Sequence, residues 1–548
     1  MRLRIQNLHL WLDEDEAELR ARACAAVGLA TAQVSGLAVV RRSLDCRRKG
    51  HPRFLYVVDV TVPDDSGVAV GGDVALAPDD RLPPRSANPP ALRPIVVGTG
   101  PAGLFAALGL LERGIPSLLL ERGKPIAPRR RDVARLGREG VLDPESNMNF
   151  GEGGAGAYTD GKLTTRISHP AVRKVIETFA RFGAPDGILV DAKPHIGSDL
   201  LPGAVTKLRE HLTAGGCEVR FGARVDAVLR DASGRCRGVR LADGTELPSD
   251  RVILAPGNSA RELYESFAAD PTLRLEAKPF AIGFRAEHPQ ALIDRIQYGK
   301  AAGHPRLPPA DYKLAQNPRC EGKPRGVYSF CMCPGGIVVP TPTEEGLLCV
   351  NGMSNSTRSS PFANAGIVVA VSLDDFERDG HGRDALSGLR FQRKWERAAF
   401  ELGGGGYHAP AQRIPDYLAG RLGTPPGRST YRPGLVHREL SELLPPHVTA
   451  TLREAIKGFE RTLRGFASAD GVLIALEGRT SAPLRLCRGD DLQAVGAPGL
   501  YPCGEGAGYA GGIVSAAVDG LRAAEAIGAE CGAGEPRELL AVPAEEVG

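Results

Sequence analysis

Apolar and polar positions change rhythm twice along this chain. Residues 2 to 10 alternate loosely, and residues 14 to 27 place Leu19, Ala23 and Ala26 at helical spacing. The runs "GLAVVRRSL" and "FLYVVDVTV" then read as strands. Together these predict a small N-terminal α+β module over residues 1–63. Residues 64–94 are rich in Pro, Asp and Gly without periodicity, as a linker is. From residue 95 strand and helix patterns alternate, which predicts an α/β domain. Residues 531–548 read as a flexible tail, and no period of about 20 to 50 residues points to a repeat architecture.

The sharpest pattern is "IVVGTGPAGLFAALGLLERGIPSLLLERG". An apolar lead-in meets Gly98-x-Gly100-x-x-Gly103, a helix follows through Ala107 and Leu111, and Gly114 ends it. A second apolar strand, Ser117 to Leu120, closes on Glu121. Each position has a physical reason. Gly98 permits the tight turn, and Gly100, with Pro101 and Ala102 opening the helix, lets the backbone approach a pyrophosphate. Gly103 lets helix and strand pack closely. Glu121, with Arg122 beside it, stands where a carboxylate accepts hydrogen bonds from an adenosine ribose.

Composition narrows the classes. A chain of 548 residues is too long for one core. Its 68 basic and 65 acidic residues leave a net charge of +3, no footprint for wholesale nucleic-acid binding. Eleven cysteines are spread along the length; their odd number and the charged opening residues suggest a reducing cytoplasm, no signal peptide and mostly inert thiols. The longest uncharged run, Pro94 to Leu111, carries four glycines at motif spacing, so a buried strand and helix explain it better than a membrane span. The expectation is a soluble, cytoplasmic protein.

"GTGPAG" with "ERG" resembles FAD-binding flavoproteins more than NAD dehydrogenases. Residues 218–257 are similar to the segment of glutathione-reductase-like flavoproteins that ends in an Ala-x-Gly turn, here Ala255 to Gly257. That resemblance implies that the backbone of Val225 lies against the adenine. "LYPCGEGAGYAGGIVSAAVDG" resembles their closing motif. It implies Gly504 and Glu505 near the ribityl-pyrophosphate, and Gly512-Ile513 at a helix start facing the pyrimidine edge of the flavin. Gly153, Gly154 and Gly156 read as a backbone nest for the same cofactor, with Lys162 a candidate flavin partner. FAD is the expected cofactor. No second Gly-x-Gly-x-x-Gly follows a strand, so NAD(P)H is left only as a transient electron donor.

"SNMNFGEGGAGAYTDGKLTTRI", "KPHIGSDLL", "KPFAIGFRAEHPQ", "RGVYSFCMCPGG" and "NGMSNSTRSSPFANAG" extend the likeness to nearly the whole chain. They resemble a bacterial family usually described as FAD-dependent dehydrogenases or NAD(P)/FAD-dependent oxidoreductases, distantly like fumarate-reductase-type flavoproteins. "DVARLGREG" is more basic than that resemblance leads one to expect, and Asn355 stands where an aromatic would surprise less. The fold implied is α/β: a discontinuous Rossmann-like FAD-binding domain over 91–260 and 471–530, with an inserted α+β substrate domain over 261–470. The function implied is hydride transfer through flavin N5 to or from a small organic substrate. A flavin-dependent monooxygenase and a nucleic-acid-associated flavoprotein, as in tRNA modification, stand as alternatives.

In the inserted domain, Arg285, His288, Tyr328 and Arg358 have suitable chemistry. An arginine can clamp a carboxylate, and a histidine or tyrosine can move a proton; a structural hydrogen bond is the competing reading for each, and for His195. Cys331 and Cys333 sit one residue apart in a strand-like run, Cα atoms about 6.5 to 7 Å apart if regular, at the edge of disulfide reach. Packed thiols are favoured over a redox or covalent role for Cys331, and no metal site is expected. "RRSLDCRRKGHPR" reads as a solvated hairpin loop or a patch for an anionic partner. A carrier or redox protein is an open partner; nucleic acid and membrane are not expected.

Overall fold

The structure is a computed structural model describing residues 1–47, 50–78 and 87–532. Strands Arg2–Trp11, Gly36–Asp45, Arg53–Thr61 and Val74–Leu76 form an antiparallel sheet under the helix Glu18–Val27. Leu3, Ile5, Leu8 and Leu10 face a common core with Leu19, Ala23 and Val27. One correction applies to the stretch read as a linker. Val74–Leu76 joins this sheet by pairing with Leu3 to Ile5, because Val74 buries its side chain there. Residues 79–86 and most of the tail, 533–548, lie outside the described residues.

The module is docked rather than tethered. Arg42 N donates to Val190 O (2.6 Å), Ala192 N donates to Arg42 O (2.7 Å), and the Arg42 guanidinium pairs with Asp191 at 2.9 Å. Arg306 donates to Leu12 O at 2.7 Å. The basic stretch is therefore partly neutralised from within, Arg47 pairing with Asp45 at 2.8 Å; Arg48 and Lys49 lie outside the described residues.

The second unit is a parallel sheet of five short strands, in the order Leu500–Pro502, Val252–Leu254, Ile95–Val97, Leu118–Glu121, Glu218–Phe221. Parallel strands inside such a sheet are buried on both faces, so the first four read as largely apolar runs, while the edge strand Glu218–Phe221 is polar at alternate positions and only half-buried. Helices Pro101–Leu111 and Ile513–Glu530 lie against each other so closely that a Cβ on Gly520 would stand 2.1 Å from Ala102 O. Only glycine fits there.

The third unit is a seven-stranded sheet whose central strands are Phe362–Val371, Phe280–Pro289 and Val472–Glu477. Here the expected boundary moves. Val472–Glu477, assigned from sequence to the second FAD segment, is fully buried between Phe280–Pro289 and Ala409–Arg413. Its apolar run suits a strand of either sheet, and pairing partners settle the matter. Among the described residues, no helix is long and apolar enough to cross a membrane.

Candidate functional site

One cavity of about 360 Å³ opens between the parallel sheet and the seven-stranded domain. Its walls bring together Gly98, Gly100, Pro101, Ala102, Glu121, Arg122, Gly154, Gly156, Lys162, Val225, Ala255, Gly257, Gly504, Glu505, Gly512 and Ile513. Two expected cofactor residues stand behind the wall instead. A Cβ on Gly103 would lie 1.9 Å from Gly98 O, so this glycine serves helix–strand contact. A Cβ on Gly153 would lie 2.8 Å from the Ala157 side chain.

The helix starts at Pro101 and Ile513 both lie on the cavity, and neither has a side-chain cap. Their first N–H groups and the positive ends of their dipoles are free to face an anion. Gly511 and Gly512 have no heavy atom within 4 Å of an added Cβ, and Gly100 meets only Gly154 Cα at 3.8 Å. Gly504 N donates to Asp519 Oδ2 at 2.8 Å, and Arg488 holds that carboxylate at 2.6 Å, which fixes the turn before the second helix. The uncapped Pro101 helix start and the glycine-lined space fit the pyrophosphate of FAD.

Glu121 departs from its expected role. Its carboxylate accepts from Thr99 N (3.0 Å) and Thr99 Oγ1 (2.7 Å) on one oxygen, and from Gly123 N and Gly151 N (2.9 Å each) on the other. A carboxylate offers about four acceptor sites. All are filled from within the chain, so Glu121 ties three loops around the cavity rather than standing free for a ribose. Arg122 stacks over Phe150 at 3.8 Å and pairs with Glu145 at 2.9 Å.

Beneath the glycine nest lies a residue that sequence reading passed over. Arg129 is fully buried and donates to the carbonyls of Asn147 (2.8 Å), Gly151 (3.1 Å), Glu152 (2.6 Å) and Gly154 (2.9 Å). Burial pulls its pKa down to about 10. The signal was available: Ile126, Arg129, Val133 and Leu136 fall on one helical stripe, and Arg129 occupies an apolar position on it.

Of the catalytic candidates, only Cys331 reaches the cavity wall. Arg285 is fully buried behind it, donating to Glu477 (2.7 Å), Asn364 (2.7 Å), Asn351 (2.9 Å) and Cys331 O (3.2 Å). It touches three residues that line the cavity and positions them. His288 is buried against Phe466 O at 2.7 Å, and burial pushes its pKa down to about 4, so it sits neutral in the core. Tyr328 is 36% exposed and outside the wall. Arg358 is half-buried at a positive φ of 51° and also outside it. His195 holds Asn355 O at 3.1 Å, and burial followed by the Arg358 charge lowers its pKa.

Lys162 stands in the wall, ion-paired with Asp160 at 2.9 Å, donating to Met332 O and 3.8 Å from Cys333 Sγ. Burial opposes its charge, but the two cysteines and Asp160 outweigh burial and raise its pKa. Glu505 is held by Asn258 at 2.7 Å, and burial pushes it up to about 7. Arg479, another wall residue, shares the buried Glu396 with Arg261, at 2.8 and 2.7 Å. The Lys162–Cys333, Arg261–Glu396 and Arg479–Glu396 connections span 171, 135 and 83 positions, so spacing could not announce them.

Residues 279–480 match a family described as FAD-dependent protein, C-terminal domain-like, and residues 2–61 a domain of unknown function. An uncharacterized protein of Clostridium beijerinckii (strain ATCC 51743 / NCIMB 8052) is 40% identical over 534 residues, covering 96% of this chain and 98% of that protein. The FAD-dependent monooxygenase nodY2 of Hypoxylon pulicicidum is 27% identical over 231 residues, 38% of this chain and 46% of that protein. Among solved structures, the flavin-dependent brominase Bmp2 covers 80% of this chain and 79% of its own at 12% identity and a TM-score of 0.35.

Proposed function

We propose that this chain, which belongs to one family with the Clostridium beijerinckii protein and is a FAD-dependent protein, is a two-electron oxidoreductase acting on a small organic substrate. The observation that carries this is a single cavity reaching from the Gly98–Gly103 turn to Phe330, Cys331 and Asn351 of the other domain. A dinucleotide cofactor lying along the first part would present its reactive end to the second. When bound there, FAD supplies the electron chemistry. The Pro101 helix start would hold its phosphates, the Ile513 helix start would face the pyrimidine edge of the flavin, and the Gly153–Gly156 nest, kept open by Arg129, would cover the phosphates. Lys162 places a positive charge at the substrate end, and the Arg285–Glu477 pair braces Asn351 and the Cys331 backbone there.

NADH or NADPH is proposed as a transient donor, bound on the same domain. Anaerobic titration of the purified yellow protein with each, following the flavin band, tests this. Bleaching supports it; a band unchanged by both would place the electron source in the organic substrate or a protein donor. A colourless protein that fails to take up added FAD would sink the flavin reading itself. A second reading, a monooxygenase, draws on the similarity to the Hypoxylon pulicicidum enzyme over 231 residues. It requires oxygen uptake matched by an oxygenated product, and uptake released wholly as hydrogen peroxide would count against it.

A further inference from the structure

Cys331 holds a left-handed backbone conformation, with φ at 43°, which costs a side chain on the order of 1 to 2 kcal/mol. The ladder shows why. Phe330 pairs with Gly366 and Cys333 with Asn364, so Cys331 and Met332 together oppose Ala365. Such a bulge re-aims side chains. A regular strand would send residues 331 and 333 to one face at equal depth. Instead Cys333 is fully buried, and Cys331 is half-buried in the cavity wall.

Charged groups from three elements converge on this bulge. Lys162 approaches from the other domain, donating to Met332 O with Asp160 at its back. Arg285 donates to Cys331 O, with Glu477 at its back. The Cys333 thiol donates to the Cys331 carbonyl at 3.3 Å and lies beside the Cys331 sulfur, where it is the largest influence on that thiol's acidity. Burial opposes ionisation, Lys162 and Arg285 favour it, and the Cys331 pKa is held down to about 5. Two other cysteines line the same cavity and behave in the opposite way. Burial pushes Cys349 up to about 11 and Cys503 well above the ordinary thiol value.

We propose that Cys331 is a nucleophilic thiolate at the substrate end of the cavity, with the neighbouring Cys333 thiol as proton donor to the substrate, placed to attack a soft electrophilic carbon of the substrate. The attack forms a C–S bond. On a carbonyl or conjugated alkene carbon, the displaced π pair ends on the substrate and takes the proton of the Cys333 thiol, leaving the negative charge beside Lys162. No oxidant or reductant is consumed. The proposal deepens the oxidoreductase reading and rests on it for the presence of a substrate, although the reactivity of the thiolate is measurable without one.

The test is iodoacetamide alkylation of the purified holoprotein between pH 5 and 9, read by peptide mass spectrometry with the flavin band recorded in each sample. The C–S bond forms as iodide leaves. At pH 6 a thiol of pKa about 5 is roughly 300 times more ionised than an ordinary one, while its lower basicity costs a factor of about 30 to 50 in reactivity. Cys331 should therefore react about tenfold faster than the half-buried Cys320, with a rate already flat above pH 6. Cys333→Ala and Lys162→Met should each move the midpoint upward, and Lys162→Arg should keep it low. Alkylation of Cys331 no faster than that of Cys320 at pH 6 overturns the proposal, as does a midpoint that neither variant moves. Fast Cys331 labelling in a protein lacking flavin would support the thiolate while overturning the cofactor reading.

Discussion

Replacing Glu396 by glutamine removes the negative charge that joins the two large domains. Glu396 is fully buried and receives both guanidinium groups bidentately: Arg261 at 2.7 and 3.0 Å, Arg479 at 2.8 and 2.9 Å. Burial alone would raise its pKa, but the two arginines outweigh burial and bring it from 4.5 to about 2. That fall corresponds to roughly 3 kcal/mol, in line with the ~3–5 kcal/mol that removing one partner of a buried pair costs. Glu396→Gln keeps the shape, leaves Arg479 without a carboxylate and Arg261 with Glu344 alone at 2.9 Å, and turns an amide N–H₂ toward one of them. The loss is a large part of the ~5–15 kcal/mol that holds a domain folded. Urea unfolding at pH 7, followed by circular dichroism, should show it. A triple replacement, Glu396→Leu with Arg261→Met and Arg479→Met, should recover most of the loss, because no charge is then left unpaired. The pH dependence follows from the sign of the shift. The folded value is depressed, so the stabilisation is present above about 4.5 and disappears as pH falls through about 2. The variant and the parent should therefore converge in acid. A cost below about 1 kcal/mol at pH 7 would place the triad with surface pairs and refute the reasoning.

Gly98→Ala should prevent folding of the parallel sheet, since the new Cβ would lie 2.3 Å from Ala255 O at a φ of +98°; Gly512→Ala, whose Cβ meets open space, should fold normally by circular dichroism and retain less FAD. Arg129→Met leaves the buried carbonyls of Asn147 and Glu152 without a donor, each worth about 1–3 kcal/mol, while those of Gly151 and Gly154 keep only their bonds from Gly154 N and Ala157 N, so flavin content after gel filtration should drop sharply; full retention would contradict the nest assignment. Glu505 has a folded pKa raised to about 7, so its contribution to apoprotein stability is complete below about 4.5 and fades as pH rises through 7. Glu505→Gln should flatten thermal stability over that window, and an unchanged slope would show that another group titrates.

The strand–helix–strand unit around Gly98 was legible because its determinants are local. Apolar runs, three glycines and a carboxylate within about thirty residues leave few alternatives. The closing segment around Gly512 was legible for the same reason. The substrate end of the cavity was not, since Asn149, Lys162, Cys331, Asn351 and Arg479 come from five separated segments. Arg285 illustrates the difficulty. Every residue from Phe280 to His288 is buried, so alternation offered no inner or outer face, and its partner Glu477 lies 192 positions away. The residue type suggested a substrate clamp; the neighbours make it a brace. The reading of Cys331 as a packed thiol failed to foresee the bulge, which depends on Gly366 and Asn364 across the sheet.

The order of strands in the parallel sheet has a consequence for how the chain is made. Val252–Leu254 pairs on one side with Ile95–Val97 and on the other with Leu500–Pro502. The first partner is synthesised before it and the second ~245 residues after it, which at ~5–20 residues per second is a delay of roughly 12 to 50 s. Throughout that interval an apolar strand, fully buried in the finished protein, has one open edge on the ribosome. A chain interrupted before Leu500 would carry the Gly98 turn and most of the nest, yet expose a surface suited to pairing with its neighbours. Translation speed and chaperone access after residue 254 should therefore govern how much of this protein is recovered intact.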